Sequence, residues 1–439
     1  MQFTQVALTT TDLAVMGVIG VHAIAAGGLA AALYNLMRTM SVGAVTAVGN
    51  LIADAAGRGE TRSASANPDT QSQREIRQIT RSAFSIATAT ALLLGAALIG
   101  LSYLLPLFGL DTSVLTLARP MMMTLAPGLI PMMWLNVLRQ FSVGMRRPGP
   151  LLAVSVGSIA VNAALDLAFI YGPLGIPKLG LAGVGLATTL VQVATVVAFY
   201  LVLRRDPQLA PLLSGDGWTT DSGTARHIIR LGIPISLTYG SEAGITSLAA
   251  VIMGAFGPIA LAAHNVVTQL TRIAFQISIG LSHAASILIS RAVARADRNQ
   301  AQQIAAVTLA LGWLVTGCLG LLYVIAPNWV LRPFLAPADV TTITFAKTFI
   351  LLAIAQQIVD FTQNIAVGLL RGIGNTKAGL SATSIGYWMI GLPAMLVLAF
   401  AAHLHGAGIW AGLSTGFAAT AVILLRRFRR DLRKDARST

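Results

Sequence analysis

LGIPISLTYGSEAGITSLAAVIMGAFG, residues 231–257, is apolar over about the length that crosses a bilayer, yet it carries Glu242 near its middle. An ionised side chain at the centre of a membrane helix costs roughly 2.5–3.5 kcal/mol on insertion scales. Such a residue faces a bundle interior or an aqueous path and marks where ions or substrates pass. Gly240 and Gly244 flank it at GxxxG spacing, so a second helix or a ligand can come close to the backbone. Pro234 is expected at a helix start, where its missing N–H is tolerated. The competing reading, an acid buried and paired only for packing, is the weaker one for a carboxylate at this depth.

The rest of the chain agrees with a membrane setting. Of its 439 residues 55% are hydrophobic and only 10% charged, where a soluble domain carries about 25% charged residues. Thirty Lys and Arg against sixteen Asp and Glu give a net charge of +14. The cations sit at the ends of apolar spans rather than on one patch interleaved with aromatics, which argues against nucleic acid as a partner. The single cysteine, Cys318, excludes an intrachain disulfide framework and is expected to pack within its span. No cleavable secretory signal is expected, because the first apolar stretch runs on without a cleavage site.

Twelve stretches approach the spanning length of about 20 residues: 1–20, 27–53, 82–107, 114–140, 150–171, 183–204, 230–254, 260–290, 302–326, 341–370, 379–401 and 408–425. Basic residues alternate between sides. Arg58 to Arg81, Arg146 and Arg147, Arg204 to Arg230, Arg291 to Arg298, Arg371 and Lys377, and the tail from Arg426 share one side; the other holds little beyond Lys178 and Arg332. The positive-inside rule then puts both termini in the cytoplasm. The polar gap 207–226 reads as a cytoplasmic linker between lobes 1–206 and 227–439. The expected fold is therefore an all-α integral membrane protein of twelve transmembrane helices in two six-helix bundles.

The halves repeat. MGVIGVHAIAA, from Met16, aligns without gaps on MGAFGPIALAA, from Met253, and Ser41 and Gly43 fall on Ser278 and Gly280. Further on, Val143-Gly144-Met145 before Arg147 matches Val367-Gly368-Leu369 before Arg371, which sets Asn136 opposite Asp360. Six spans separate the copies, so the halves are parallel repeats about an axis along the membrane normal. Leu231 and Pro234 map upstream of Met1, so the opening turns of the counterpart are missing here, either because the first helix is short or because Met1 is internal to the natural chain.

Four acids lie inside spans. Asp12 is in the first and Glu242 in the seventh, about two turns from the point equivalent to it. Asp360 is in AIAQQIVDFTQN with Gln356, Gln357, Gln363 and Asn364 around it, and Gln357 shares its face at i,i+3. Asn162 and Asp166 share a face of the fifth span. Carboxylate and amide oxygens suit a hard cation such as Na⁺, and the same carboxylates in an apolar site can take up and release protons. For Asn162 the bland reading, an interhelical hydrogen bond, stands close behind.

Weaker features have ordinary explanations. Met121–Met123 and Met132–Met133 are filler more often than a drug surface. Arg38, Arg139 and Arg272 either pair with acids or snorkel, and His264 and His283 are as readily packed as titrating. Thr188 and Thr189 can offer a hydroxyl to Asp166, although threonine in a membrane helix usually bonds its own backbone. Phosphate loops, zinc spacings and nucleophile elbows are absent, so no enzyme is read here.

Taken together, the Asp in the first span, the Glu early in the seventh, the LGIPIS opening, the surroundings of Asp360 and LLRGIGNTKAG, residues 369–379, resemble the MATE family (multidrug and toxic compound extrusion) over nearly the whole chain. The resemblance implies a V-shaped pair of lobes in the plasma (inner) membrane that exports organic cations by alternating access in exchange for H⁺ or Na⁺. It implies a C-terminal site at Glu242 and Asp360 and an N-terminal site at Asp12, Asn162 and Asp166 with Thr188 nearby. Asp12, Glu242 and Asp360 would meet substrate. A tyrosine often stands four residues before the tenth-span acid in that family, where this chain has Gln356, so the proton is expected over sodium. Partners are small organic cations and membrane lipid, with no cofactor beyond the coupling ion and no second subunit. The alternatives are a lipid-linked-oligosaccharide flippase of the same superfamily, which would show more cavity-facing arginines, and a non-transporting channel or scaffold, against which the duplication and the midplane acids stand.

Overall fold

The structure, a computed structural model, describes residues 21–63, 69–108, 112–147, 149–172, 178–213, 221–332 and 340–435. The first half contains α1 (Val21–Thr46), α2 (Val48–Ser63), α3 (Thr70–Leu104), α4 (Thr112–Leu125), α5 (Leu129–Gly144), α6 (Gly149–Tyr171), α7 (Leu181–Arg204) and the short α8 (Ala210–Leu213). The second contains α9 (Ser222–Gly254), α10 (Pro258–Ala294), α11 (Arg298–Ile325), the short α12 (Pro327–Leu331) and α13 (Val340–Gly372). There follow α14 (Thr376–Thr383), a π-helical segment Ser384–Gly391, α15 (Leu392–Leu396), a second π segment Val397–Ala401, and α16 (His405–Asp435). The described residues contain no strand.

Helices cover eleven of the twelve expected spans, and the first, 1–20, lies outside the described residues. Nine helical stretches among the described residues are long and apolar enough to cross a membrane. Their outer faces are apolar too: Leu93 is 70%, Met389 71% and Ile325 73% exposed. Large apolar side chains at that exposure are stable against lipid rather than water. The chain is an all-α integral membrane protein.

Two compact units divide the chain, Met1–Ser236 and Leu237–Thr439. The division falls inside α9, beyond the 207–226 stretch read as a linker. Helix already begins at Ser222, where the Asp221 carboxylate accepts the Thr224 N–H at 2.7 Å. That cap corrects the expectation for Pro234, which lies inside the helix about three turns from its start. The first stretch of α9 packs with the first unit: Ile228 joins its core, and a Cβ on Gly43 would meet Ser236 N at 2.7 Å.

The first unit centres on Ile52, Ile76, Leu98, Met122, Phe141 and Phe199, all fully buried. Met121, Met122, Met132 and Met133 are core members, so the filler reading of the methionines holds for them. The second unit has two cores, one around Phe349, Met395 and Trp410, the other around Ile289, Leu369, Leu424 and Phe428. Cys318 departs from expectation. The buried stripe of α11 runs through Thr308, Gly312, Thr316 and Gly320, and Cys318 lies off it, exposed on the outer face.

The internal repeat is visible in local geometry, and its second match, at Val143 and Val367, takes a register different from the one read from sequence. α5 ends with Arg146 at φ +60 and Arg147 N–H donating to the Ser142 carbonyl at 2.8 Å. α13 ends with Gly374 at φ +78 and Asn375 N–H donating to the Leu370 carbonyl at 2.9 Å. These are one Schellman cap used twice, and they pair Arg146 with Gly374, an offset of 228 residues. The same offset relates the helix caps Asp69, accepting from Ser72 N at 3.0 Å, and Asp297, accepting from Gln300 N at 2.9 Å. Arg62 at 2.9 Å, with the Ser72 N–H, holds the Asp69 carboxyl below the ordinary carboxylate range. Packing agrees as well. A Cβ on Gly144 would meet Gly49 O at 2.9 Å and Ile52, and one on Gly372 would meet Ser286 O at 2.7 Å and Ile289. Gly372 rather than Gly368 is therefore the partner of Gly144, and Asn136 stands opposite Asn364, not Asp360.

Candidate functional site

Within the second unit, α9 and α13 bring Glu242 and Asp360 close enough to interact electrostatically. Both keep some accessible surface although protein surrounds them, as expected of groups that line a path rather than fill a core. Asp360 Oδ1 accepts two amide N–H bonds at 2.9 Å, from Gln363 Nε2 and from Asn364 Nδ2. The Asn364 amide also donates to the Asp360 carbonyl at 3.1 Å and reaches Glu242, so one asparagine touches both acids. Helical spacing makes this arrangement local, since Gln363 and Asn364 stand at i+3 and i+4 from the carboxylate they serve.

A third element closes the site. Tyr387, 1% exposed, sits in the first π segment, meets Gln363 with its hydroxyl and lies within electrostatic reach of both carboxylates. Its neighbour Trp388 donates from Nε1 to Ser241 Oγ at 2.8 Å, and its ring lies 3.3 Å from where a Cβ on Gly244 would be. Of the GxxxG pair flanking Glu242, Gly244 thus receives an aromatic ring, while Gly240 has open space beside it. The π turn, which widens the helix ahead of Pro393, is a type of distortion that recurs at functional sites. Three residues before Glu242, Tyr239 receives an Arg371 Nη2–H bond at 3.3 Å, with the guanidinium 5.9 Å from its ring centroid.

The other residues singled out from sequence fall as follows. Gln357 is buried and faces Tyr323 of α11, and the amides that bond Asp360 are Gln363 and Asn364. His264 is packed, 3% exposed, with its ring 5.3 Å from that of Trp410 and its Nε2 3.4 Å from Thr268 Oγ1. In the first unit Asn162 and Asp166 are buried on one face of α6, at 1% and 0% exposure. Thr188 donates to its own helix, at the Val184 carbonyl, 3.1 Å away, and Thr189 donates to Thr124 O at 2.6 Å. Asp12 lies outside the described residues.

Sequence reasoning named Gln363 and Asn364 only as neighbours and missed Tyr239, Ser241, Tyr387 and Trp388 as surroundings of the acids. Tyr239 and Ser241 had a signal, their adjacency to Glu242. Tyr387 and Trp388 had none, because a π register cannot be read from apolar periodicity.

A lipid-exposed helical bundle that holds two carboxylates in reach of each other, with one amide touching both, has the architecture of a membrane transport protein. The profile of the MatE family matches residues 1–168 and 234–397. "Probable multidrug resistance protein NorM" of Pseudomonas aeruginosa is 34% identical over 432 residues, covering 97% of this chain and 86% of its own. The protein of that name from Bradyrhizobium diazoefficiens is 34% identical over 433 residues, covering 98% of this chain and 90% of its own. Among solved structures, the eukaryotic MATE transporter AtDTX14 superposes with a TM-score of 0.83 at 18% identity, over 99% of this chain and 94% of that one. A MATE protein in its bent conformation gives 0.88 at 14%, over 100% and 93%. The chain belongs to the MatE family, whose members are transporters and not enzymes.

Proposed function

We propose that this protein is a secondary active antiporter of the inner membrane, exporting organic cations in exchange for protons by alternating access. The observation that carries the proposal is the convergence of Glu242 and Asp360 on the Asn364 amide inside a membrane bundle. A negative site of this kind binds an organic cation or a proton, and competition for the same charge is the simplest form of antiport. The multidrug-resistance names of the relatives support efflux as the direction. The proton is preferred over Na⁺ because the two amides nearest Asp360 turn N–H groups towards it, whereas a sodium cage needs converging oxygens. Asp12, Asn162 and Asp166 form the corresponding N-terminal site in this reading, with Thr188 beside it.

Proteoliposomes with an imposed pH gradient and no Na⁺ should drive uptake or efflux of a fluorescent cation. Transport that needs Na⁺ and ignores the pH gradient would make the carboxylates sodium ligands instead. The proposed topology has both termini in the cytoplasm. After replacement of Cys318, cysteines near Gly175 and Pro337 should label from outside, and those near Ser65 and Ser214 should not.

A further inference from the structure

One end of the second unit has a construction that the transport site does not explain. There α10, α11, α13, α14 and α16 converge on their own core, with Ile289, Ala301, Leu369, Ala378, Leu424 and Phe428 buried together. α16 has 31 residues, about 46 Å at 1.5 Å per residue, against a hydrocarbon thickness of about 30 Å. Its last turns leave the bilayer still helical. Leu424, Phe428 and Leu432, at successive i+4 positions, are buried and hold those turns to the bundle. Asn375 Nδ2 donates to Asp431 Oδ2 at 2.6 Å, which ties the α13–α14 connection to the same helix.

This rigid end is cationic. Arg427 and Arg430 both lean on Asp431, at 3.9 and 3.8 Å, and Arg430 remains 62% exposed. Arg298, Lys377 and Arg426 are exposed on the helices that meet in this core. Arg298 and Lys377 stand in the first turns of α11 and α14, where the helix dipole opposes a positive charge. Helix electrostatics therefore do not account for them. Beneath the cations the surface turns apolar: Val422, one turn before Arg426 on the same face, is 46% exposed, and Ile385, about two turns after Lys377, is 40% exposed.

We infer that this end of the second unit is a docking face for the phosphodiester headgroups of anionic phospholipids in the adjacent leaflet. A cation one or two turns above an exposed aliphatic side chain fits a phosphate above an acyl chain. A soluble polyanion would leave the aliphatic half of the ladder without a partner. The inference rests on the membrane reading above and deepens it by assigning a lipid class to one face.

Full-length protein in neutral detergent is titrated with short-chain phosphatidylglycerol and, separately, phosphatidylcholine, with binding followed by native mass spectrometry. Phosphatidylglycerol should bind at least about tenfold more tightly, since each basic residue at an anionic surface contributes about fivefold. Arg298→Gln, Lys377→Gln and Arg426→Gln combined should erase the preference, whereas Arg298→Lys, Lys377→Arg and Arg426→Lys combined should retain it. Both variants are checked for membrane insertion and monodisperse elution. Equal binding of the two lipids, or an unchanged preference in the glutamine variant, would overturn the inference. So would displacement of the lipid by inorganic phosphate, or tighter binding of a DNA oligonucleotide. Failure of the membrane reading looks different, as protein absent from the membrane fraction.

Discussion

α5 of the first unit and α13 of the second are the same piece of structure carrying different chemistry. In α5 the Asn136 amide donates to the Met132 carbonyl at 3.0 Å and to the Met132 sulfur at 3.0 Å. In α13 the Asn364 amide donates to the Asp360 carbonyl at 3.1 Å and to the Asp360 carboxylate at 2.9 Å. Two residues before each asparagine lies the next shared contact. Trp134 donates to Thr88 at 2.8 Å, and Thr362, at the position of Trp134, accepts from Trp313 at 3.0 Å, so the same helix seam keeps its bridge with the partners exchanged. The frame has been kept and the ionisable group has not: a thioether in one copy stands where the other has a carboxylate. The buried acid of the first unit's described residues is instead Asp166 on α6. Inserting a charge into a membrane bundle is costly, and of the two helices only α13 carries one, where Gln363, Asn364 and Tyr387 lie beside it.

The comparison breaks first at the charge. Glu242→Gln or Asp360→Asn should weaken binding of a cationic dye by roughly 10–100-fold, the usual worth of a hydrogen bond to a charged group, and gradient-driven efflux should fall with it. Met132→Leu, the matched change in the other copy, should leave efflux at the wild-type rate and stability within about 1.5 kcal/mol. Equal damage from both changes, read in proteoliposomes, would mean the two helices do not differ in role. The next effect is steric. Gly144→Ala and Gly372→Ala each push a methyl against Gly49 O and Ile52, or Ser286 O and Ile289. Each should cost about 1–3 kcal/mol as overpacking, seen as a lower unfolding temperature in detergent. Gly280→Ala, with nothing within 4 Å, is the control and should be neutral or better. Loss at only one of the two glycines would deny them a common frame.

Much of this architecture is legible in the amino-acid sequence. Spans are legible because lipid demands long apolar runs whose backbone bonds close internally, and Glu242 and Asp360 because charge inside such runs is rare. The register of the second repeat match is not. Gly368 and Gly372 are one turn apart, both small and both in apolar surroundings, so sequence offers two matches for Gly144 and only the contacts of Ser286 and Ile289 choose. Cys318 and Pro234 fail for related reasons: the face a residue occupies and the turn where a helix begins depend on neighbours and caps that lie outside the local pattern. Tyr387 was invisible because a π turn shifts which side chains point inward. For the N-terminal site, Asn162 and Asp166 are placed on one buried face, and Asp12 remains a sequence expectation.

The smallest effect tests the frame at its end, where the two copies solve one backbone problem with different residues. Both caps need a left-handed residue after the helix, and the second copy uses Gly374 where the first uses Arg146. A side chain in that conformation costs roughly 1–2 kcal/mol, while glycine gives back roughly 0.5–1 kcal/mol through the entropy of the unfolded chain. Gly374→Ala should therefore lower stability by about 1 kcal/mol or slightly less, and Arg146→Gly should raise it by a smaller amount. Neither residue touches the acid pair, so dye efflux should be unchanged in both variants. Thermal unfolding of the two purified proteins decides the matter by sign alone. Opposite shifts identify one cap used twice, whereas shifts in the same direction would show that the ends of α5 and α13 are held by different forces and that their shared hydrogen-bond pattern is coincidence.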